Sequence, residues 1–490
     1  MWDYINQNLV EIVLSVNYLT AIAVSIIMIH NHTKRDPLRT MMWTIVLFLL
    51  PVGGIVLYVF FGQNYRKTKI FNKKLFKDLK YIERLARKQV SLLQKKTIFD
   101  NYPQHTGFKN IMTLLLNNSK ALISEYNSIT TYHTGAQTFD AIKAALLSAK
   151  NHIHIEFYII EDDVLGNEIK DILVQKATEG VDVRVIYDDV GSWSLPRRYT
   201  RAIKRAGGKI FPFMKVRFPF LSSKLNYRNH RKILVVDGKL AFMGGVNIAD
   251  RYIDGGKFGY WADTHLKIEG EATRSLQTIF MVDWYFVSGE ILIRRHQKYF
   301  PDLPPTGKTL VQVVASGPDS DWAGIMQAYF TIINSAEKHI YLSTPYFMPN
   351  ESILTAIKTA SLSGVDVRLM LPERNDSRLV YWSTLSFLSE LMDAGVKVYL
   401  YTKGFNHSKF ITADSRISAV GSANIDMRSF EHNFEVTTII YNEDFTRQLE
   451  RSFHIDTQNN SKPVNPERWH NRPIHKTIIE GSARLLTPLL

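Results

Sequence analysis

The sequence predicts an α/β protein made of two copies of one unit, preceded by a transmembrane helical hairpin. Three observations carry this. Strand-like and helix-like segments alternate from about residue 105 onward, the alternating block occurs twice, and a histidine–lysine motif stands once in each copy. Strands alternating with helices of ten or more residues indicate βαβ units and a mainly parallel sheet. Two such halves should pack about a pseudo-twofold axis and bring their motifs to one shared active site.

The N-terminal elements come first. Leu9 to Ile29 is an apolar run interrupted by Glu11 and Asn17, and Met41 to Phe61 is a second, with Pro51, Gly53 and Gly54 inside it. Each approaches the roughly 20 apolar residues that cross a hydrocarbon core, so residues 1–65 read as two transmembrane helices. A cleaved signal peptide fits poorly, because MWDYINQ carries no Lys or Arg and no small-residue cleavage site follows. A buried soluble hairpin fits less well still, both runs being apolar on every face. Lys34, Arg35 and Arg39 argue for a cytoplasmic connector, whereas Arg66, Lys67, Lys69, Lys73, Lys74, Lys77 and Lys80 argue more strongly that the large domain is cytoplasmic. Residues 66–104 read as a basic juxtamembrane helix and linker. Its apolar residues Ile70, Phe71, Leu75, Leu79, Ile82, Ala86, Val90 and Leu93 recur at three- and four-residue steps. Such a helix suits the surface of an anionic leaflet or a face of the domain equally well.

The duplicated block fills residues 105–300 and 301–490, with a Pro-rich boundary from Pro301 to Gly307. AKNHIHIEFYII from Ala149 answers AEKHIYLSTPYF from Ala336. GVDVRVIYDD from Gly180 answers GVDVRLMLPE from Gly364, and AGGKIFPF from Ala206 answers AGVKVYLY from Ala394. Each copy runs helix, apolar strand, helix, VDVR strand, helix, strand.

Both copies carry H-x-K-x4-D-x6-G-[GS]-x-N. In the first it supplies His230, Lys232, Asp237 and Asn247; in the second, His407, Lys409, Asp414 and Asn424. In a strand, residues i and i+2 share a face, so each His projects with its Lys. Two imidazoles and two ammonium groups on one spot suit a phosphodiester. One neutral His attacks phosphorus while the other, protonated, serves the departing oxygen. The lysines, with Asn247 and Asn424, hold phosphoryl oxygens as charge spreads over them. A working histidine also needs a partner that fixes its tautomer, usually a carboxylate. Asp263 in FGYWADTH and Glu435 in HNFEV are the candidates, each downstream of its own motif. Asp237 and Asp414 join the catalytic set as motif members, with the tying of a turn the favoured role for both.

Composition narrows the partners. In 490 residues, 60 Lys and Arg against 46 Asp and Glu give a net charge of +14, which favours a polyanion. The absence of cysteine removes disulfides, iron–sulfur clusters, thiolate zinc sites and cysteine nucleophiles. His152 and His154 have no third ligand in sight and read as structural. Glu156 either orients a substrate hydroxyl or satisfies a buried network. Tyr346 and Phe347 line a groove or pack in the core, with packing favoured for Phe347. Asp188 and Asp189 follow a strand, where α/β folds place functional loops. The stretch after Ser461 either docks on the domain or touches lipid.

With the paired motif in view, the sequence resembles the phospholipase D superfamily, and within it the bacterial cardiolipin synthases. The resemblance covers nearly the whole chain: LLPVGGIVLYVFFGQ, NYRNHRKILVVDG, FGYWADTH, STPYFMPNE and the ending ARLLTPLL carry it. It implies two phospholipase D-like halves and a membrane enzyme whose partner is an anionic phospholipid, phosphatidylglycerol, and not nucleic acid. One phosphatidylglycerol gives its phosphatidyl group to the enzyme and a second accepts it, releasing glycerol. His230 takes the part of nucleophile and His407 that of acid and then base, with no metal and no cofactor. A nuclease would fit the charge but leave the apolar runs unexplained. A phospholipase D would differ only in using water as acceptor, and a non-catalytic lipid binder would not need both motifs intact. The oligomeric state is left open.

Overall fold

A computed structural model describes residues 9–30, 37–50, 53–58, 76–95, 100, 102–216, 227–292 and 296–487. Two units divide the chain, one of residues 1–68 with 216–226, the other of residues 69–215 and 227–490. In the first, helices occupy Leu9–His30, Pro37–Leu49 and Gly53–Leu57. Ala21, Leu47 and Tyr58 bury a small cluster there. No helix among the described residues is long and apolar enough to cross a membrane, so the expected transmembrane hairpin is not shown by these helices. Helices of 13 and 5 residues, Pro37–Leu49 and Gly53–Leu57, fall on the second apolar run, and Pro51 lies outside the described residues.

The second unit opens with the helix Phe76–Gln94. Ala86 and Leu93 are buried in the core with Ile111, Leu115 and Ile333, and the Gln89 amide exchanges hydrogen bonds with the Ile123 backbone (both 2.8 Å). The apolar stripe of the basic segment thus packs on the domain, at least from Tyr81 on. Residues 67–75 lie outside the described residues.

The first half contributes β1 (Ile123–Thr134), β2 (His152–Phe157), β3 (Asp182–Asp188), β4 (Lys209–Phe213), β5 (Ile233–Val236), β6 (Leu240–Gly244) and β7 (Trp261–Glu269). The second contributes β8 (Thr309–Ser316), β9 (His339–Ser343), β10 (Phe347–Met348), β11 (Asp366–Pro372), β12 (Lys397–Tyr401), β13 (Phe405–Asn406), β14 (Phe410–Ala413), β15 (Ile417–Gly421), β16 (Ile425–Asp426), β17 (Glu435–Tyr441) and β18 (Ser461–Pro463). One sheet joins both halves. Outward from the antiparallel β1–β8 seam, one side runs β7, β6, β5, β2, β3, β4 and the other β17, β15, β14, β9, β11, β12, closed by β18. Position by position the two sides correspond, which is the duplication realised as a pseudo-twofold. Ile233, Val235, Leu266 and Ile268 bury together with Val311, Val420, Val436 and Ile440, so the seam is a continuous apolar core.

The sheet is mixed rather than mainly parallel. β2–β3–β4 and β9–β11–β12 run parallel, as do the two-residue pairings of β13 with β7 and β10 with β16; β5–β6 and β14–β15 are antiparallel hairpins. Their three-residue connections hold Asp237 and Gly238 at φ +52° and +65°, and Asp414 and Ser415 at +53° and +55°. Two successive positive φ values make the turn whose twist matches antiparallel strands, and Asp–Gly favours it. The parallel strands are fed by capped helices. The Thr134 hydroxyl accepts the Gln137 N–H, and Asn350 accepts that of Ile353, each such cap contributing about 1 kcal/mol.

Candidate active site

Each motif lies in the extended lead-in to a hairpin strand rather than in the strand itself, His230 and Lys232 before β5 and His407 and Lys409 before β14. Those lead-ins pair with the opposite half. The His230 N–H donates to the Phe434 carbonyl (2.9 Å) beside β17, while β13 adds in parallel to β7 and the His407 N–H donates to the Ala262 carbonyl (2.7 Å). The backbone thus hands each histidine to the other half's carboxylate. His230 Nδ1 meets both Glu435 oxygens (3.0 and 3.1 Å), and His407 Nδ1 meets Asp263 Oδ2 (2.7 Å). The carboxylate downstream of each motif therefore serves the other motif. With Nδ1–H committed to a carboxylate, Nε2 is the free ring nitrogen of both.

The lysines lie deep. Both are buried, and each ammonium donates to the carbonyl of its own histidine, Lys232 at 2.8 Å and Lys409 at 2.5 Å. Burial pulls Lys232 down to about 7 and Lys409 to about 8, partly resisted by Glu435 and Asp263. Burial likewise brings His230 down to about 4, against the pull of Glu435, and holds His407 well below its ordinary value with the help of Lys409, Lys232 and His230. A buried cluster of cations that each resist their charge is a site awaiting an anion.

The two carboxylates differ. Burial raises Asp263 to about 6. Burial also acts to raise Glu435, but His230, Lys232 and the Ser422 hydroxyl (2.5 Å) outweigh it and hold that carboxyl below the usual range. The position equivalent to Ser422 is Gly245, where a Cβ would stand 1.9 Å from Asp263 Oδ1. The [GS] position of the motif is thus a hydroxyl donor in one half and bare clearance in the other.

The remaining motif residues divide. Asp237 accepts the backbone N–H groups of Lys150, Asn151 and His152 (2.8–2.9 Å), and Asp414 those of Glu337, Lys338 and His339 (2.8–3.0 Å). Both stand five residues beyond their lysines, roughly 16 Å along the strand, and tie their turns to the starts of β2 and β9. Asn247 is engaged as well: its Oδ1 accepts the Ile159 N–H (3.1 Å) and its Nδ2 donates to the Tyr252 hydroxyl. Asn424 Oδ1 is buried with no partner, leaving its amide the freer of the two.

Several neighbours were not singled out by the sequence. Asn229 and Asn406, immediately before the histidines, cap the motif backbones at Arg231 N (3.1 Å) and Ser408 N (3.0 Å). They also reach Glu156 and Ser343 respectively, so Glu156 serves a buried network, where burial and Asp283 push its carboxyl well above the usual carboxylate range. The shared N-H-x-K was the available signal. Asp188 accepts the Asn229 N–H (2.9 Å) and pairs with Arg228 (3.2 Å), fixing the approach to His230. The Tyr158 ring stands edge-on to His230 at 5.0 Å. His407 is instead ringed by Tyr252, Trp261, Phe405 and Tyr346 at 5.2–6.5 Å. Phe347 is buried core. His152 and His154 are buried against Tyr299, and no metal-holding group of side chains exists among the described residues.

Comparison with known proteins agrees with this geometry. The family profile described as "Cardiolipin synthase, PLD-like domain" matches residues 142–284 and 329–457, and one described as phospholipase D–nuclease N-terminal matches residues 19–63. The chain is 44% identical over 461 residues to "Cardiolipin synthase 2" of Bacillus anthracis, covering 93% of this chain and 88% of the relative. It is 38% identical over 483 residues to "Major cardiolipin synthase ClsA" of Bacillus subtilis, covering 98% and 99%. In fold it is similar to phosphatidylserine synthase of Haemophilus influenzae, with a TM-score of 0.59 at 16% identity over 78% of this chain and all of that one. By its paired motif, its duplicated sheet and these relatives, the chain belongs to the phospholipase D-like cardiolipin synthase family.

Proposed function

We propose that this enzyme makes cardiolipin by moving a phosphatidyl group from one phosphatidylglycerol to a second, releasing glycerol. The observation that carries the reading is the crossed pair of carboxylate-backed histidines over two buried lysines. His230 Nε2 attacks phosphorus, the bond to the glycerol oxygen breaks, and His407 gives that oxygen its proton. The charge of the bound phosphodiester opposes the burial and the lysines that hold His407 below its ordinary value. His407, now neutral, takes the proton of the incoming glycerol hydroxyl. The new oxygen–phosphorus bond forms as the phosphorus–nitrogen bond breaks, which restores both histidines. Lys232, Lys409 and Asn424 hold the phosphoryl oxygens as charge builds. No step calls for a metal or cofactor.

The same reading places residues 1–65 in the membrane and the catalytic unit on its cytoplasmic side. Its support is the pair of apolar runs and the lysine-rich stretch that follows them.

The test is purified enzyme with labelled phosphatidylglycerol as the sole lipid. Cardiolipin and free glycerol are expected, both lost in His230→Ala. Phosphatidic acid as the sole product would make water the acceptor and the chain a hydrolase. Alkaline extraction of membranes should leave the full-length protein in the pellet; release into the supernatant would sink the anchored reading.

A further inference from the structure

The helix Ile474–Leu485 is assembled inside out. Its inward face is polar: buried Glu480 takes both terminal nitrogens of Arg472 (2.7 and 2.9 Å), Arg484 reaches Glu390 (2.7 Å), and the Thr487 hydroxyl just beyond meets that of Ser383 (2.7 Å). Ala483 is its one buried apolar residue. Ile474, Ile478 and Leu485 are 76%, 61% and 78% exposed, and their steps of four and seven put them on one stripe. Exposed Lys476 stands in its first turn, and exposed Arg468 lies in the short helix Pro466–His470 that precedes it. The Arg484–Glu390 pair ties the helix to the domain, Arg472 holds Glu480 from the preceding turn, and the aliphatic side is left exposed among the described residues.

Its place in the fold bears on the site. The helix packs against Arg378–Leu385, whose Thr384 hydroxyl accepts the Phe347 N–H (3.3 Å) next to Tyr346, one of the rings about His407. One helix therefore separates the stripe from the wall of the site. The exposed aliphatic side chains of Ile474, Ile478, Ile479, Leu485 and Leu486 fall short of the roughly 800 Å² per partner that a stable protein interface buries. An exposed aliphatic side on a helix whose other face is polar suits the interfacial layer of a bilayer, and the net charge of +14 favours an anionic one.

We infer that this helix is a membrane-docking element, its Ile474–Ile478–Leu485 stripe among the acyl chains of an anionic phospholipid surface, holding the site against the lipid it draws on. The inference rests on the reading that the substrate is a membrane phospholipid.

The chain has no cysteine, so Ile478→Cys in the full-length enzyme accepts a single environment-sensitive fluorophore. In phosphatidylglycerol–phosphatidylcholine vesicles the label should emit as from an apolar medium. A quencher carried on the acyl chains should dim it several-fold more than a label at Thr477→Cys. Aqueous emission would overturn the proposal. So would apolar emission untouched by the lipid-borne quencher, since a second copy of the chain or another protein surface would then cover the stripe. Ile474→Glu with Ile478→Glu should lower turnover of vesicle phosphatidylglycerol several-fold and spare that of a monomeric short-chain analogue; equal loss on both would count against docking. The emission measurement reads depth without turnover, so its failure is distinguishable from failure of the transfer reaction.

Discussion

His230 and His407 occupy equivalent places in a near-symmetric sheet, yet their surroundings differ in charge and in aromatic enclosure. His230 faces one tyrosine and is backed by a carboxylate that His230 itself, Lys232 and Ser422 hold below the usual range against burial. His407 is enclosed by four aromatic rings and backed by Asp263, which burial raises to about 6 and which has bare clearance at Gly245 where its counterpart has a hydroxyl. Duplication supplied a twofold frame, and a few side chains broke the symmetry. The better-supported imidazole suits the nucleophile, whose developing positive charge Glu435 stabilises. The more secluded one suits a proton carrier whose charge state follows that of the bound phosphate.

The sharpest way to break this comparison is to remove each imidazole. His230→Ala should lower kcat by about 10⁴-fold or more and form no lipid–enzyme adduct on a denaturing gel. His407→Ala should lose a similar amount yet retain the adduct, slow to turn over. An adduct in His230→Ala would reverse the assignment.

Next in size are the carboxylates. Glu435→Gln should cost about 10²- to 10³-fold, felt in adduct formation. Asp263→Asn should fall chiefly on release of the adduct. As pH falls through about 6, Asp263 protonates and its anionic support of His407 is lost, so the wild-type rate should drop there. In Asp263→Asn that acid limb should vanish and leave a uniformly low rate. A limb that survives the substitution would mean another group titrates.

How much of this was legible in the sequence follows from which contacts are local. The histidines and lysines showed themselves because two copies, 177 residues apart from His230 to His407, agreed with an independent repeat. The crossing of Glu435 to His230 and Asp263 to His407 did not, since it depends on strand pairing over the seam, and no spacing within one half encodes that. The expectation of a mainly parallel sheet failed at Asp237–Gly238 and Asp414–Ser415, where residues read as motif members also build hairpin turns. The inside-out helix was illegible for a further reason: periodicity finds the stripe of Ile474–Leu485 but not which side the Arg484–Glu390 pair ties to the domain.

The lysines sharpen the comparison through an anion both halves share. Lys232 and Lys409 are protonated below about 7 and 8, so inorganic phosphate should bind most tightly under mildly acidic conditions. Its affinity should weaken about tenfold from pH 7 to 9 as the pair discharges. Stability of the free enzyme runs the other way. The folded pKa values lie below the roughly 10.4 of an unfolded lysine, so the unfolded chain binds more protons between about 7 and 10, and these groups favour folding more as pH rises across that window. Thermal melts with and without phosphate check both signs, and Lys232→Met should flatten the lower part of each.

The smallest catalytic effect is expected where the motif is most symmetric. Asp237 and Asp414 make the same three backbone contacts at matching turns, remote from the imidazoles. Loss of a carboxylate that holds three N–H groups removes charge-assisted hydrogen bonds from a partly exposed turn, costing about 2 kcal/mol of stability. Asp237→Ala and Asp414→Ala should each lower the unfolding midpoint and leave kcat per folded molecule within about threefold of wild type. The two substitutions should also act alike, whereas those at His230 and His407 should not. A hundredfold loss of kcat in either aspartate variant, with stability intact, would return these residues to the catalytic group and undo the separation of frame from chemistry.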